Sequence, residues 1–302
     1  MTNPMLILSP GTQIVATEPV LNSNGDVAYP RGAVGVIVRA PVHIRYAYLV
    51  RMVDGVEVWL KRREFEIHKH FQNPQQPGEE FDLYTCVQYR CIVGSRAYGL
   101  DTDASDTDLR GFYLPPADLQ WSLFGVPEQL ERPETEEIYW ELQKFITLAL
   151  KANPNVLECL YTPLVEVASP LAQELLDLRE IFLSRLIYQT YNGYVMSQFR
   201  RLQKHLENYG TIRWKHAMHL IRLLLSGIEA LQTHTIPVKV EAHRERLLSI
   251  RDGSVPWEQV DAWRLELHAA FDAAFAATTL PERPDYGRAN AFLVRARRSM
   301  VS

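Results

Sequence analysis

The local periodicity of this chain changes twice along its length, and that change limits the folds open to it. Residues 1 to about 70 read as short strands broken by turns, because GTQIVATEPV, GAVGVIVRA, YAYLVRMV and VEVWLKRREFEIH are rich in β-branched and aromatic residues. Asp54-Gly55 between two of these runs predicts a tight hairpin. From about 83 to 165 the pattern is mixed, with YRCIVG and DTDLRGFYLP extended and LQKFITLALKA carrying helical apolar spacing. Beyond 166 the chain is almost purely helical. Ser169-Pro170 reads as an N-cap with Pro at the first helical position, Gly210 and Gly253 end helices, and Thr211 is placed to cap the next one. The order predicts an α+β chain in three parts: a small β domain over 1–72, a mixed domain over 80–165 and a helical domain over 166–302. The stretch FQNPQQPGEEFD, rich in Pro, Gln and Gly, is the expected first linker.

Length and composition narrow the classes further. With 302 residues, 47% hydrophobic and 23% charged, the chain can bury a sizeable core. A net charge of -4 leaves no global basic field, so any contact with nucleic acid must use local patches. Cys86, Cys91 and Cys159 are odd in number and form no CxxC pair, which argues against a disulfide framework or a zinc site. MTNPMLILSPGT has no basic n-region and no uncharged run reaches about 18 residues, so the expectation is a cytoplasmic protein without a membrane partner. The first part resembles a small SH3-like barrel with a docking role, since it offers no nucleophile, base or ligand set. Lys61, Arg62 and Arg63 there read as charges guarding an exposed edge.

The chemistry concentrates in CIVGSRAYGLDTDASDTDLRGFY, residues 91–113, where Asp101, Asp103, Asp106 and Asp108 crowd together. Such carboxylates repel one another and desolvate badly, and a divalent cation is the usual compensation. A calcium loop starting at Asp101 fails, because Asp106 stands where the turn needs Gly and Phe112 where it needs Glu. Read as a strand, DTDLRGFYL puts Asp106, Asp108 and Arg110 on one face. Two carboxylates so spaced reach one metal or bracket a pair about 4 Å apart, as in-line phosphoryl displacement requires. Magnesium, or manganese in its place, suits them, because it keeps waters and substrate phosphates in its shell. Gly94-Ser95, closing the preceding strand, allows the backbone and a hydroxyl to approach a phosphate, which Arg110 could also meet. Alone, DxD equally describes a solvated acidic turn.

The longer stretch GSRAYGLDTDASDTDLRG resembles the Gly-Ser plus DxD signature of the DNA polymerase β nucleotidyltransferase superfamily. It is most similar to the bacterial and phage group of RNA-ligase-associated predicted nucleotidyltransferases. The likeness continues through GFYLPP, KFITLALKANPNVLECLY and WKHAMHLIRLL to LPERPD, over roughly 84–300, and leaves the β domain outside as a fused accessory. It implies a polymerase-β-like fold in which Gly94 and Ser95 hold the triphosphate and Asp106 and Asp108 bind two magnesium ions. A third carboxylate on a neighbouring strand normally completes such a site as base or metal ligand. Glu141 is the first choice, Glu137 the second, and Glu136, on the opposite face of that strand, the third; Asp101 and Asp103 are assigned to the connecting loop.

In the helical part, WKHAMHLIRLLLSGIEAL places Lys215, His219, Arg222 and Ser226 between two apolar stripes. Positive groups so flanked are costly without anionic partners. They are expected to face the cleft and meet the triphosphate, with Lys215 and Arg222 as counter-charges and His219 as donor or proton carrier; a structural ion-pair network is the other reading. VRARRSM near the C-terminus reads as a solvated helix end.

Together these residues point to a magnesium-dependent enzyme that moves a nucleoside monophosphate from an NTP to an RNA, protein or small-molecule acceptor. Two other classes compete. The Arg-x5-His spacing of Arg213 and His219 resembles that of a family of helical, metal-independent ribonucleases, and the same fold without chemistry would be a nucleotide sensor.

Overall fold

The computed structural model describes residues 8–22, 25–41, 43, 46–68, 81–102 and 105–301. Contacts divide the chain into two units, Met1–Glu79 and Glu80–Ser302. The expected linker lies outside the described residues up to Glu80, and so does Asp103 of the acidic loop.

The first unit contains β1 (Gln13–Ala16), β2 (Val20–Leu21), β3 (Val27–Tyr29), β4 (Val34–Arg39), β5 (Tyr48–Met52), β6 (Glu57–Leu60) and β7 (Phe65–Ile67). Five of them form an antiparallel sheet in the order β6-β5-β4-β1-β7, and β2 and β3 pair separately. Strand alternation sends Ile14, Ala16, Ile37, Tyr48, Val50, Met52 and Phe65 into one core. The Tyr48 and Phe65 rings meet there edge to face at 5.3 Å. The hairpin read from Asp54-Gly55 forms between β5 and β6: Gly55 takes φ +87°, and Asp54 Oδ1 accepts the Val56 N–H at 3.1 Å.

The second unit opens with β8 (Val87–Val93), α1 (Gly94–Tyr98), β9 (Asp108–Tyr113), α2 (Ala117–Trp121), β10 (Gln129–Arg132), β11 (Glu137–Glu141), α3 (Leu142–Leu150), α4 (Pro154–Tyr161) and β12 (Val165–Ala168). Helices follow: α5 (Pro170–Asp177), α6 (Leu186–Tyr209), α7 (Trp214–Thr233), α8 (Arg244–Arg251), α9 (Trp257–Ala277) and α10 (Tyr286–Arg298). The sheet order is β10-β11-β9-β8-β12, with β11 parallel to β9 and the other pairs antiparallel. This is the α+β architecture anticipated for a polymerase-β-like domain with an N-terminal β region and C-terminal helices. One hydrophobic core runs from Tyr89 and Phe112 of the sheet through Phe145 of α3 to Phe271 of α9 and Phe292 of α10. The sheet and the helices beyond residue 166 therefore share their interior within Glu80–Ser302.

Local signals set several boundaries. Ser169 Oγ accepts the Ala172 N–H at 3.1 Å and Pro170 opens α5, as capping chemistry requires. Gly210 closes α6 in the left-handed region at φ +63°. Thr211 does not cap α7; Arg213 holds the N-cap position, and the Thr211 hydroxyl lies 3.4 Å from His205 Nε2. Among the described residues no helix is long and apolar enough to cross a membrane.

Gly111 is fixed by a close approach inside the sheet. In the β8–β9 ladder it faces Arg90, and a Cβ built on it would stand 1.8 Å from the Tyr89 carbonyl oxygen. Backbone cannot yield as a flexible side chain can. Gly111→Ala is expected to lower stability by about 1–3 kcal/mol or more, read from the midpoint of urea unfolding.

Candidate active site

The β8–β9 pairing assembles the centre of the site. Its register sets Val93 opposite Asp108, so the chain leaving β8 at Gly94 turns directly beside the carboxylate that begins β9. Gly94 has φ +71°, and a Cβ there would lie 2.3 Å from Asp108 Oδ2. Only glycine satisfies both the left-handed backbone and the contact. The loop carrying Asp106 is tied to α1 by Arg96, which donates to the Ser105 carbonyl at 2.9 Å and the Asp106 carbonyl at 3.3 Å. Strand β9 starts at Asp108, so the alternation expected over 106–110 does not extend to Asp106. Nevertheless Gly94, Ser95, Asp106 and Asp108 line one cleft of about 530 Å³, together with Lys215 and His219 of α7. Glu136 and Arg251 complete its charged lining.

Three of the expected site residues sit elsewhere. Glu141 is buried at the end of β11, where one carboxylate oxygen accepts the Gln143 N–H at 2.9 Å and the other pairs with Arg297 at 2.5 Å. It caps α3 and ties α10 to the sheet. Arg110 does share a face with Asp108 and donates to its Oδ1 at 3.1 Å. Its other hydrogen bonds go to the carbonyls of Leu109 and Glu136, and it lines a neighbouring hollow rather than the cleft. Its hydrogen bond to Oδ1 holds the Asp108 carboxylate. Arg222 is buried against Glu158 of α4, Nη1 to Oε1 2.7 Å, with its guanidinium 3.7 Å over the ring of Tyr98. The structural ion-pair network, rather than the triphosphate, accounts for it.

The structure places a different carboxylate beside the aspartates. Strand β11 runs parallel to β9 with Glu137 opposite Leu109, which leaves Glu136, one residue earlier, alongside Asp108. Glu136 takes φ 52°, outside the strand, so strand alternation does not govern where its side chain goes. It lines the cleft, whereas Glu137 accepts the Tyr139 hydroxyl at 2.9 Å in the hollow behind. Arg251, unmarked by any sequence signal, reaches the cleft from α8 while donating to the Leu100 carbonyl at 2.6 Å.

The cationic wall is not uniformly charged. Burial, then the nearby charges of Arg222, Lys215 and His216, push the His219 pKa from 6.5 down to about 4. At neutral pH His219 is an uncharged donor or acceptor, and Lys215 and Arg251 carry the positive charge. Burial pushes the Tyr98 hydroxyl well above its ordinary pKa, so it stays a phenol and donates to Glu158 Oε2 at 2.6 Å.

Residues 65–295 match the model of RlaP, described as the RNA repair pathway DNA polymerase beta family. The chain belongs to this family. Membership gives it a nucleotidyltransferase-like role. The uncharacterized protein YcgL of Bacillus subtilis (strain 168) is 33% identical over 82 residues, which is 26% of this chain and 32% of that relative. The match thus spans about a third of the relative's length. No solved structure matches.

Within this family framework the ribonuclease spacing loses its geometric basis. Arg213 lines a separate hollow with His205 and His216, while His219 faces the cleft. Among the described residues no three His, Cys, Asp or Glu side chains converge as a ready metal cage. The cleft instead offers hard oxygen donors from Asp106 and Asp108, with Glu136 near. Such a set fits magnesium, whose remaining positions are taken by water and substrate phosphates, better than calcium or zinc.

These placements set three expectations. Arg222→Met leaves Glu158 buried and unpaired, and should cost about 3–5 kcal/mol in chemical unfolding; Lys215→Ala, at an exposed position, should change stability by less than about 0.5 kcal/mol. His219 binds its proton more weakly folded than unfolded, so stability is lost as pH falls from 6.5 towards about 4. His219→Gln should flatten that part of the profile relative to the parent chain, as measured by urea midpoints at a series of pH values.

Proposed function

We propose that the chain is a divalent-metal-dependent nucleotidyltransferase. It transfers a nucleoside monophosphate from an NTP to an acceptor hydroxyl and releases pyrophosphate. The observation that carries this reading is the meeting of the Gly94-Ser95 turn, Asp106, Asp108 and Lys215 in one cleft. Asp106 and Asp108 would hold magnesium or manganese. Bound there, the metal neutralises phosphate charge and lowers the pKa of an attacking hydroxyl.

The chain's own residues supply the rest. The Gly94 backbone admits a phosphate at close range, and the Ser95 hydroxyl donates to it. Lys215 and Arg251 oppose the triphosphate charge, and neutral His219 hydrogen-bonds a phosphate or ribose oxygen. Glu136, in the same cleft as the aspartates, takes the proton of the acceptor hydroxyl. The acceptor oxygen attacks the α-phosphorus, that new P–O bond forms, the α–β bridging bond breaks, and its electron pair leaves with pyrophosphate. Arg96 and Arg110 are positioning residues: one anchors the Asp106 loop and the other holds the Asp108 carboxylate. Catalysis of this kind is mainly positioning and charge stabilisation. A nucleic acid acceptor has two supports, the RNA repair description of the family and a cationic surface at the corner between α6 and α7.

The test uses each of the four α-labelled NTPs with magnesium or manganese, offered total cellular RNA or a protein lysate. Label should enter one pool and fall at least about a hundredfold in the paired Asp106→Asn, Asp108→Asn variant. Glu136→Gln should reduce transfer by about 10²–10⁴-fold with little change in stability. Glu141→Gln should instead lower stability. NTP binding without transfer to any acceptor would leave a sensor and remove the catalytic claim.

A further inference from the structure

A second concave surface lies at the corner where α6 passes into α7. A hollow of about 310 Å³ is lined there by Arg201, Lys204, His205, Tyr209, Arg213 and His216. No carboxylate lines it; Glu207 and Asp261 belong to the neighbouring hollow. Elsewhere in the helical region the cations divide: Arg200, Arg246 and Arg288, for example, also lack a carboxylate within 4.0 Å among the described residues, whereas others are paired. Arg185, Arg222, Arg251, Arg264, Arg295 and Arg297 all have carboxylate partners. Arg201, Lys204 and Arg213 have none among the described residues. In a chain with net charge -4, three such cations converging on one hollow from two helices form a local concentration of positive potential. The field is felt by His216, whose pKa is lowered by burial and then by Arg213, Lys215, Arg201 and His205.

Two further features define the partner. Arg213 stands at the N-cap of α7 and no side chain caps that helix start, so its positive end opens beside the cations. Tyr209 is 69% exposed, and its ring packs on His205 with centroids 4.7 Å apart. An exposed aromatic platform beside a row of unpaired cations is the combination that binds bases by stacking and phosphates by charge. We propose that this corner binds the backbone of a single-stranded nucleic acid. The hollow and the cleft lie on either side of the first turn of α7, where Lys215 lines the cleft and the next residue, His216, lines the hollow. A strand held here would present its end to the cleft as acceptor. That last role rests on the transfer reading above, but the binding itself does not.

The test is therefore run in EDTA without NTP, on the full chain, by fluorescence anisotropy with labelled single strands of about twelve nucleotides, RNA and DNA, across a salt series. The parent chain should bind. The combined Arg201→Glu, Lys204→Glu, Arg213→Glu variant should bind at least about tenfold more weakly, with a log–log salt slope shallower by roughly 0.7 for each phosphate no longer neutralised. Asp106→Asn with Asp108→Asn should bind no more weakly than the parent, which separates failure of binding from failure of transfer. Should the charge-reversed variant lose its melting transition, Tyr209→Ala substitutes for it and should weaken binding by about fivefold or more. Equal binding by RNA and DNA supports recognition through phosphates and base faces, and stronger RNA binding adds contacts to the 2′-hydroxyl. The proposal is overturned by no binding, by unchanged affinity in the variants, by preference for duplex, or by displacement with free triphosphate at the concentration of the strand's own phosphates.

Discussion

A single buried carboxylate, Glu158, holds the cleft in shape. One oxygen accepts from Arg222 of α7 and the other from the hydroxyl of Tyr98, at the end of the short helix that begins with Gly94. The guanidinium also lies over the Tyr98 ring, so the three side chains form a closed set. A buried pair of this kind contributes little net stability over a well-packed apolar alternative, since desolvation consumes most of the Coulomb energy. It does fix relative position, because any displacement leaves a charge unpaired in the core. Here the fixed distance is that between the Gly94-Ser95 turn and the helix carrying Lys215 and His219. Hydrogen bonds to backbone carbonyls hold the same turn: the Val240 N–H donates to Tyr98 at 3.0 Å, and the Arg244 side chain to Gly99 at 2.8 Å.

The cleft is thereby divided by charge. Its carboxylates come from the β9 and β11 ends of the sheet and its cations from α7 and α8, so opposite signs face each other across the space between. The proposed magnesium triphosphate would have the same division, with metal on one side and phosphate oxygens on the other. His219 adds no charge to the cationic side at neutral pH, which leaves that side with two fixed positive residues.

Much of this is legible in the sequence where the pattern is local. Gly94-Ser95, the Asp pair, the Asp54-Gly55 hairpin and the Ser169-Pro170 cap each depend on neighbouring residues only, and the structure forms each turn and cap where those residues stand. Sequence reasoning fails where a distant partner decides. Arg222 lies on the same helical stripe as Lys215 and His219, but periodicity cannot show that Glu158 waits inside the core; the lone acid in NVLECLY is the available signal. Glu141 fits strand alternation, yet the helix start at Leu142 and Arg297 claim its oxygens. Glu136 is the last choice only if a strand turns it away, and its left-handed backbone removes that premise. Arg251 belongs to no motif, and only the packing of α8 against the turn after α1 brings it in.

The contact between Gly94 and Asp108 makes two positions behave as one. The space a β-carbon would fill at position 94 is taken by a carboxylate oxygen of position 108. Any other residue at 94 therefore relocates the Asp108 carboxylate, even with the aspartate unchanged. In this chain the two positions constrain each other. A relative that retains both aspartates but carries a larger residue in place of this glycine would have a complete motif and a displaced carboxylate, so the glycine is the more sensitive mark of a site arranged as this one is.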